Sequence, residues 1–135
     1  MPRSTPAFVA LVMVVTAGSL SCATANPNNG RVLTSIQVTP ATADAQNGQV
    51  LFTATGNFNL PPSPAPVTFA APYTGSFVVD NPASGAVANI VSTGTGTVTV
   101  QCVSGASGTV AVVASAAANN ALGDVVSGSG QLTCP

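Results

Sequence analysis

Few side chains in this sequence could carry chemistry. Asp44, Asp80 and Asp124 are its carboxylates, Arg3 and Arg31 its cations, Cys22, Cys102 and Cys134 its thiols and Tyr73 its phenol; Lys, Glu, His and Trp do not occur. A hydrolase built on a serine nucleophile needs a base beside it, and without His or Lys that pair cannot be assembled. A zinc centre lacks imidazole for the same reason. A glycosidase needs one carboxylic acid and one carboxylate, so the aspartates leave that reaction formally open. Each of them, however, lies beside small turn-forming residues such as Ala45, Asn81 and Gly123, the setting of a carboxylate that caps a turn or solvates a loop. No D-x-D-x-D-G run offers closely spaced oxygens to calcium. The glycine-rich stretches STGTGTVT (92–99) and SGSG (127–130) lack both the G-x-G-x-x-G spacing and a Walker lysine, and read as turns. No catalytic, cofactor-binding or metal-binding residue is therefore expected, and the protein is read as a non-enzyme.

Charge narrows the partners. A formal net charge of -1 on 135 residues cannot neutralise a row of phosphates, so nucleic acid is excluded as a partner. At 46% hydrophobic residues the chain can bury a core, and its length suits one domain. Thr and Ser, rather than ions, must keep its surface wet.

The N-terminal segment has the build of a secretory signal peptide over residues 1–25: Arg3, an apolar run over 7–17 broken by Thr16, and then small residues. The run is shorter than the roughly 20 residues a membrane span needs, so no span is expected after its removal. Ala23-Thr24-Ala25 fits an A-x-A site, which places cleavage after Ala25. The product is expected to be exported to the periplasm, the cell surface or the exterior. The alternative is lipidation at Cys22, although Ser19-Leu20-Ser21 departs from the usual Leu-small-small order of lipoprotein signals. Cleavage would leave Cys102 and Cys134, an even number in an oxidising compartment, which predicts a disulfide between them. The competing state is two buried free thiols.

The elements that must position these residues are short strands. Residues 26–32 read as a loose leader and 33–135 as the domain. Strands are expected over 32–39, 49–55, 67–69, 76–80, 87–91, 97–103, 109–115 and 130–134, separated by Gly, Pro and Asn turns. Val50, Phe52, Phe69 and Phe77 are the expected core residues. The proline-rich segment 59–66 can be neither helix interior nor central strand and is expected as a stiff connection, in part polyproline II. The alanines of 110–122 suit a helix, but β-branched residues in the first half and Asn119-Asn120 after it favour a strand and a turn.

LTSIQVTPATADAQNGQVLFTATGNF (33–58) resembles the start of the bacterial immunoglobulin-like domains of group 2, in which a strand ending Val-Thr-Pro is followed by a short connection, Gly, and a strand ending Ala-Thr-Gly. GSFVVDNPASGAVANIV (75–91) is similar to that family's central strand and the segment after it, with Phe77 at the position of a common Trp and Pro82 at the proline. GASGTVAVVASA (105–116) resembles its closing Gly-x-x-x-Ile-x-Ala element. The likeness covers residues 33–116 and is greatest to small exported proteins of acidobacterial type. The missing Trp, the proline-rich insertion and the extension to LTCP depart from the pattern. The resemblance implies an all-β, immunoglobulin-like β-sandwich of about seven to eight short antiparallel strands.

The family further implies a structural or adhesive interaction module of the bacterial envelope or exterior, with an unknown protein or polysaccharide as partner. The rival is a carbohydrate-binding module, which would stack an exposed aromatic on a sugar ring. Tyr73 is the candidate for that role, or else a packing residue with its hydroxyl tied to backbone. Self-association is a further alternative, because uncharged edge strands pair readily unless guarded, here by Pro40, the prolines of 61–66 and Pro82.

Overall fold

The computed structural model describes residues 30–46 and 48–135. The expected signal peptide, its cleavage after Ala25 and Cys22 lie outside the described residues. Nine strands follow one another: β1 (Leu33–Thr39), β2 (Thr42–Asp44), β3 (Gln49–Phe58), β4 (Ala65–Pro66), β5 (Gly75–Asp80), β6 (Ala88–Gly94), β7 (Thr97–Cys102), β8 (Gly108–Ala117) and β9 (Val125–Cys134). No helix occurs among the described residues. One sheet has the order β1-β3-β7-β6, with β4 also paired to β3; the other has the order β2-β9-β8-β5. All pairings are antiparallel except β2 with β9, which is parallel.

Period-2 alternation decides which side chains go inside. On β3, Phe52, Ala54 and Phe58 are buried, while Gln49, Leu51 and Asn57 are exposed. On β8, Val110, Val112, Ala114 and Ala116 are buried, so the alanine-rich segment is strand because every second residue meets the core. Phe77 on β5 stands opposite Ala114, a large side chain facing a small one. The solvent faces are wetted without ions. Cross-strand polar pairs link Asn57 to Ser35 (2.9 Å), Ser115 to Ser127 (2.8 Å) and Thr109 to Thr133 (3.2 Å); they take the place of the charged pairs found on other sheets.

Several expectations are corrected. The strand count exceeds seven to eight because β2, too short to show alternation, adds to the eight expected strands, and one pairing is parallel. The strand expected over 67–69 is displaced to Ala65–Pro66. Val67 is buried, with its amide bonded to the Ala54 carbonyl (3.1 Å), and Phe69 then takes a positive φ of 56° that ends any extended run. Phe69 and Val50 are half-buried against the core rather than within it. Val50 lies one residue from the start of β3, and Phe69 lies in the β4–β5 connection. The proline-rich segment is a succession of bends, not a polyproline II run.

The expected strand over 130–134 is the second half of a ten-residue β9. SGSG is strand, not turn, because its glycines allow backbone to pass close by. A Cβ on Gly128 would run into the Ile36 carbonyl oxygen; one on Gly130 would lie 2.5 Å from the Pro40 oxygen and 3.0 Å from Cε1 of Phe52. After β1 the chain leaves the first sheet at Pro40, and the Ala41 carbonyl accepts the Gln131 amide (2.9 Å) as β2 joins the second sheet. Cys102 and Cys134 are paired at disulfide distance, with Cα atoms 5.7 Å apart, and join the end of β7 in one sheet to the end of β9 in the other.

Gly130→Ala is expected to lower stability by about 1–3 kcal/mol, the usual effect of overpacking a tight interior. Urea unfolding of parent and variant reads this directly, and an unchanged midpoint would show that β1 does not press on β9.

Candidate functional site

The three aspartates are dispersed and exposed. Asp44 is on β2 and Asp80 on β5, and with the order β2-β9-β8-β5 they stand three strand spacings apart, roughly 14 Å. That exceeds the ~5–9.5 Å at which two carboxyl groups act on one glycosidic bond. Asp124 closes the β8–β9 turn: its amide bonds Asn120 Oδ1 (3.1 Å), and Asn120 Nδ2 donates back to its carboxylate (2.7 Å). It is a turn residue, as its neighbours suggested. Among the described residues, no group of three or more His, Cys, Asp or Glu could hold a metal ion.

Tyr73 is not available for stacking on a ligand. It is 6% exposed, packs edge-on against Phe58 with ring centroids 5.1 Å apart, and donates its hydroxyl to the Arg31 carbonyl (2.8 Å). A sugar site built on Tyr73 is thereby ruled out, and its packing alternative is what the fold adopts.

Arg31 is the polar residue that the sequence did not single out. Its guanidinium lies over Phe58, with Cζ 3.6 Å from the ring centroid, and donates from Nε to the Leu60 carbonyl (3.2 Å) and from Nη2 to the Pro62 carbonyl. Its own carbonyl accepts from Asn119 Nδ2 (3.0 Å) as well as from Tyr73. The planar fork serves ring and carbonyls together, a geometry that Lys could not reproduce. One cation thus fastens the proline-rich segment to the start of the domain, and it is committed to that task. Nothing in the local pattern GRVLT predicts this, because the partners are backbone carbonyls about thirty residues away.

Surface hollows occur among the described residues. A cleft of about 320 Å³ lies beside the paired cysteines, lined by Ala45, Gln46, Gly48, residues 101–106 and Pro135. It contains no charged or aromatic side chain. The second, of about 230 Å³, lies between edge strands of the two sheets: Gly75, Ser76 and Phe77 come from β5, Thr93 and Gly94 from β6, Thr97 from β7, and Phe69 from the connection before β5. Phe69 and Phe77 meet edge-to-face at 5.2 Å between centroids. Neither β5 nor β6 contains Lys or Pro, and β6 is bulged between Ile90 and Ser92. Comparison with protein-family models, curated proteins and solved structures found no match for the chain.

Phe69 is the most unusual residue at this second hollow. A bulky side chain at positive φ is held against a cost on the order of 1–3 kcal/mol. Glycine adopts this conformation freely, so Phe69→Gly should be more stable than Phe69→Ala by about 1 kcal/mol, although both lose the ring. Thermal unfolding of the two variants side by side measures the difference. An alanine variant as stable as the glycine variant would mean that residue 69 is not left-handed.

Proposed function

We propose that this chain is an exported, non-catalytic immunoglobulin-like module that serves as a structural or adhesive interaction domain of the bacterial cell envelope or exterior. The observation that carries the reading is the strand order. Taking β1, β3, β7 and β6 as A, B, E and D, and β9, β8 and β5 as G, F and C, gives an order compatible with the constant-type immunoglobulin arrangement, which supports the reading. In that alignment β2 is the part of the A strand that crosses to the second sheet. The burial of Phe77 on β5 supports this alignment, because antibody domains carry a buried Trp on the C strand. The cysteine pair departs from the antibody scheme by joining E to G rather than B to F.

The non-catalytic part rests on the side-chain inventory: no His, Lys or Glu in the chain, and exposed aspartates too far apart or tied into a turn. Export rests on the signal-like segment 1–25 and agrees with a cysteine pair of the kind that oxidising compartments preserve. Closing a loop with a sequence separation of 32 stabilises the fold by about 3–4 kcal/mol in the chain-entropy picture, a large fraction of the ~5–15 kcal/mol of an ordinary domain.

Expression in a bacterial host with an intact export pathway, followed by fractionation and intact-mass analysis before and after reduction, tests this proposal. The expected product is found outside the cytoplasm, begins at Asn26 and takes up alkylating reagent under denaturing conditions only after reduction. An uncleaved cytoplasmic chain would overturn export. Full alkylation without reductant would remove the disulfide, and a lipid-sized increment on a chain starting at Cys22 would replace the free form with a membrane-anchored one.

A further inference from the structure

We propose that β5 pairs with β5 of a second copy of this chain, antiparallel about a two-fold axis at Val78, so that two β2-β9-β8-β5 sheets join into one. This inference rests on the reading of the chain as an interaction module and makes a second copy its partner.

The outer strands of the two sheets differ in how they are protected. β1 is covered by β9, whose Gly128 comes so close that a Cβ there would run into the Ile36 carbonyl. β2 has three residues and follows Pro40, while β6 is bulged between Ile90 and Ser92. Short strands, prolines and bulges keep sheet edges from pairing. β5 has none of these: it runs for six residues in unbroken register with β8, contains neither Lys nor Pro, and carries its one charge, Asp80, at its end. Pro82 lies beyond that end.

The hydrogen-bond phase shows which peptide groups of β5 are left for a partner. Just before the strand begins, the Ala117 amide donates to the Thr74 carbonyl (2.9 Å). Alternate residues of an antiparallel ladder bond to the same neighbour, so Ser76, Val78 and Asp80 direct their amides and carbonyls to β8. Gly75, Phe77 and Val79 direct theirs outward. The other side of β8 has the matching phase, because the Ala118 amide donates to the Asp124 carbonyl (2.8 Å) at the start of the pairing with β9. The Val79 carbonyl also accepts the Asn81 amide (3.1 Å), and among the described residues no backbone bond outside the sheet engages Gly75 or Phe77. Phe77 contributes only its peptide groups, since its side chain belongs to the core.

Val78 selects the register. It is 56% exposed and stands beside Val113 of β8. Pairing centred on it sets Val78 against Val78 of the second copy, which removes both from water. Phe77 and Val79 then exchange backbone bonds with Val79 and Phe77 of the second copy. Ser76 comes opposite the second copy's Asp80, so that a hydroxyl can donate to a carboxylate and the two carboxylates do not face each other. Centring on Phe77 would instead set Val78 against Ser76. The segment 76–80 is thus complementary to itself, as a two-fold contact between identical copies requires. One strand a side buries less than the ~1,200 Å² of a lasting interface, so the pair is transient in dilute solution and favoured where copies are held close together on a surface.

Sedimentation equilibrium of the purified, oxidised chain from roughly 10 μM to 1 mM tests the inference. The average mass should rise with concentration from one chain towards two. Val78→Lys, at an exposed position that does not disturb the core, should weaken association about tenfold or more by placing like charges opposite each other. Val91→Lys, on the exposed part of β6, should leave it unchanged. Val78→Cys should form a disulfide between copies under mild oxidation, because directly opposite residues of a non-hydrogen-bonded pair have Cα atoms about 4.5 Å apart; Val91→Cys should not. A monomer throughout would overturn the proposal and leave the edge to a strand from a different protein. A dimer that Val78→Lys leaves intact, or that Val78→Cys fails to trap, would equally overturn it. None of these results bears on export, which the fractionation and intact mass decide separately.

Discussion

The structure depends on how closely β1 can approach β9. Phe52 is the largest fully buried side chain among the described residues, and its ring edge lies 3.0 Å from where a Cβ on Gly130 would be, beneath the point at which the chain turns at Pro40 from one sheet to the other. A side chain at residue 130 would hold the Pro40 backbone off β9 and separate it from Phe52. The switch of the chain from one sheet to the other, the parallel pairing of β2 with β9 and the closure of that side of the molecule follow from the absence of two Cβ atoms. In a core made largely of Val and Ala, a gap at this contact would have no long side chain to fill it, and interiors tolerate voids poorly.

The other fastenings act on connections rather than on the core. Cys102 and Cys134 tie the ends of β7 and β9, while Arg31 gathers the proline-rich segment and, through its carbonyl, Tyr73 and Asn119. Both compensate for a surface whose few dispersed charges cannot form ion-pair networks. They also leave β5 and β6 at the opposite edges of the two sheets, with the Phe69–Phe77 hollow between them. The Phe69–Phe77 hollow thus lies away from the disulfide, whereas the larger cleft lies beside it.

Much of this was legible in the sequence. Alternation over β1, β3, β7 and β8 is a local signal, because each inward residue is apolar whatever its partner, and it gave those strands within a few residues. The pairing of Cys102 with Cys134 followed from counting. What could not be read was set by distant approach. SGSG looked like a turn because glycine breaks strands unless another backbone passes over it, and Ile36 and Pro40 lie far away in the chain. Arg31 looked loose because its partners are carbonyls, which carry no sequence signature. Phe69 looked like core because its neighbours are apolar, whereas its positive φ places it at a surface recess. Tyr73 stayed open between stacking on a ligand and packing with its hydroxyl tied to backbone, because nothing nearby in the sequence shows that the hydroxyl reaches Arg31.

The central claim is that the chain crosses between sheets after β1, so that β2 runs parallel to β9. Nuclear Overhauser contacts and amide exchange in the purified protein test it most directly. The account predicts contacts between Thr42 and Gln131, Ala43 and Leu132, and Asp44 and Thr133, with slow exchange of the Ala45 amide, which is bonded to the Thr133 carbonyl (3.0 Å), and of the Gln131 amide. Contacts that instead continue the antiparallel pairing of β1 with β3 past Thr39, together with exchange of the Ala45 and Gln131 amides at the rate of an unfolded chain, would contradict it.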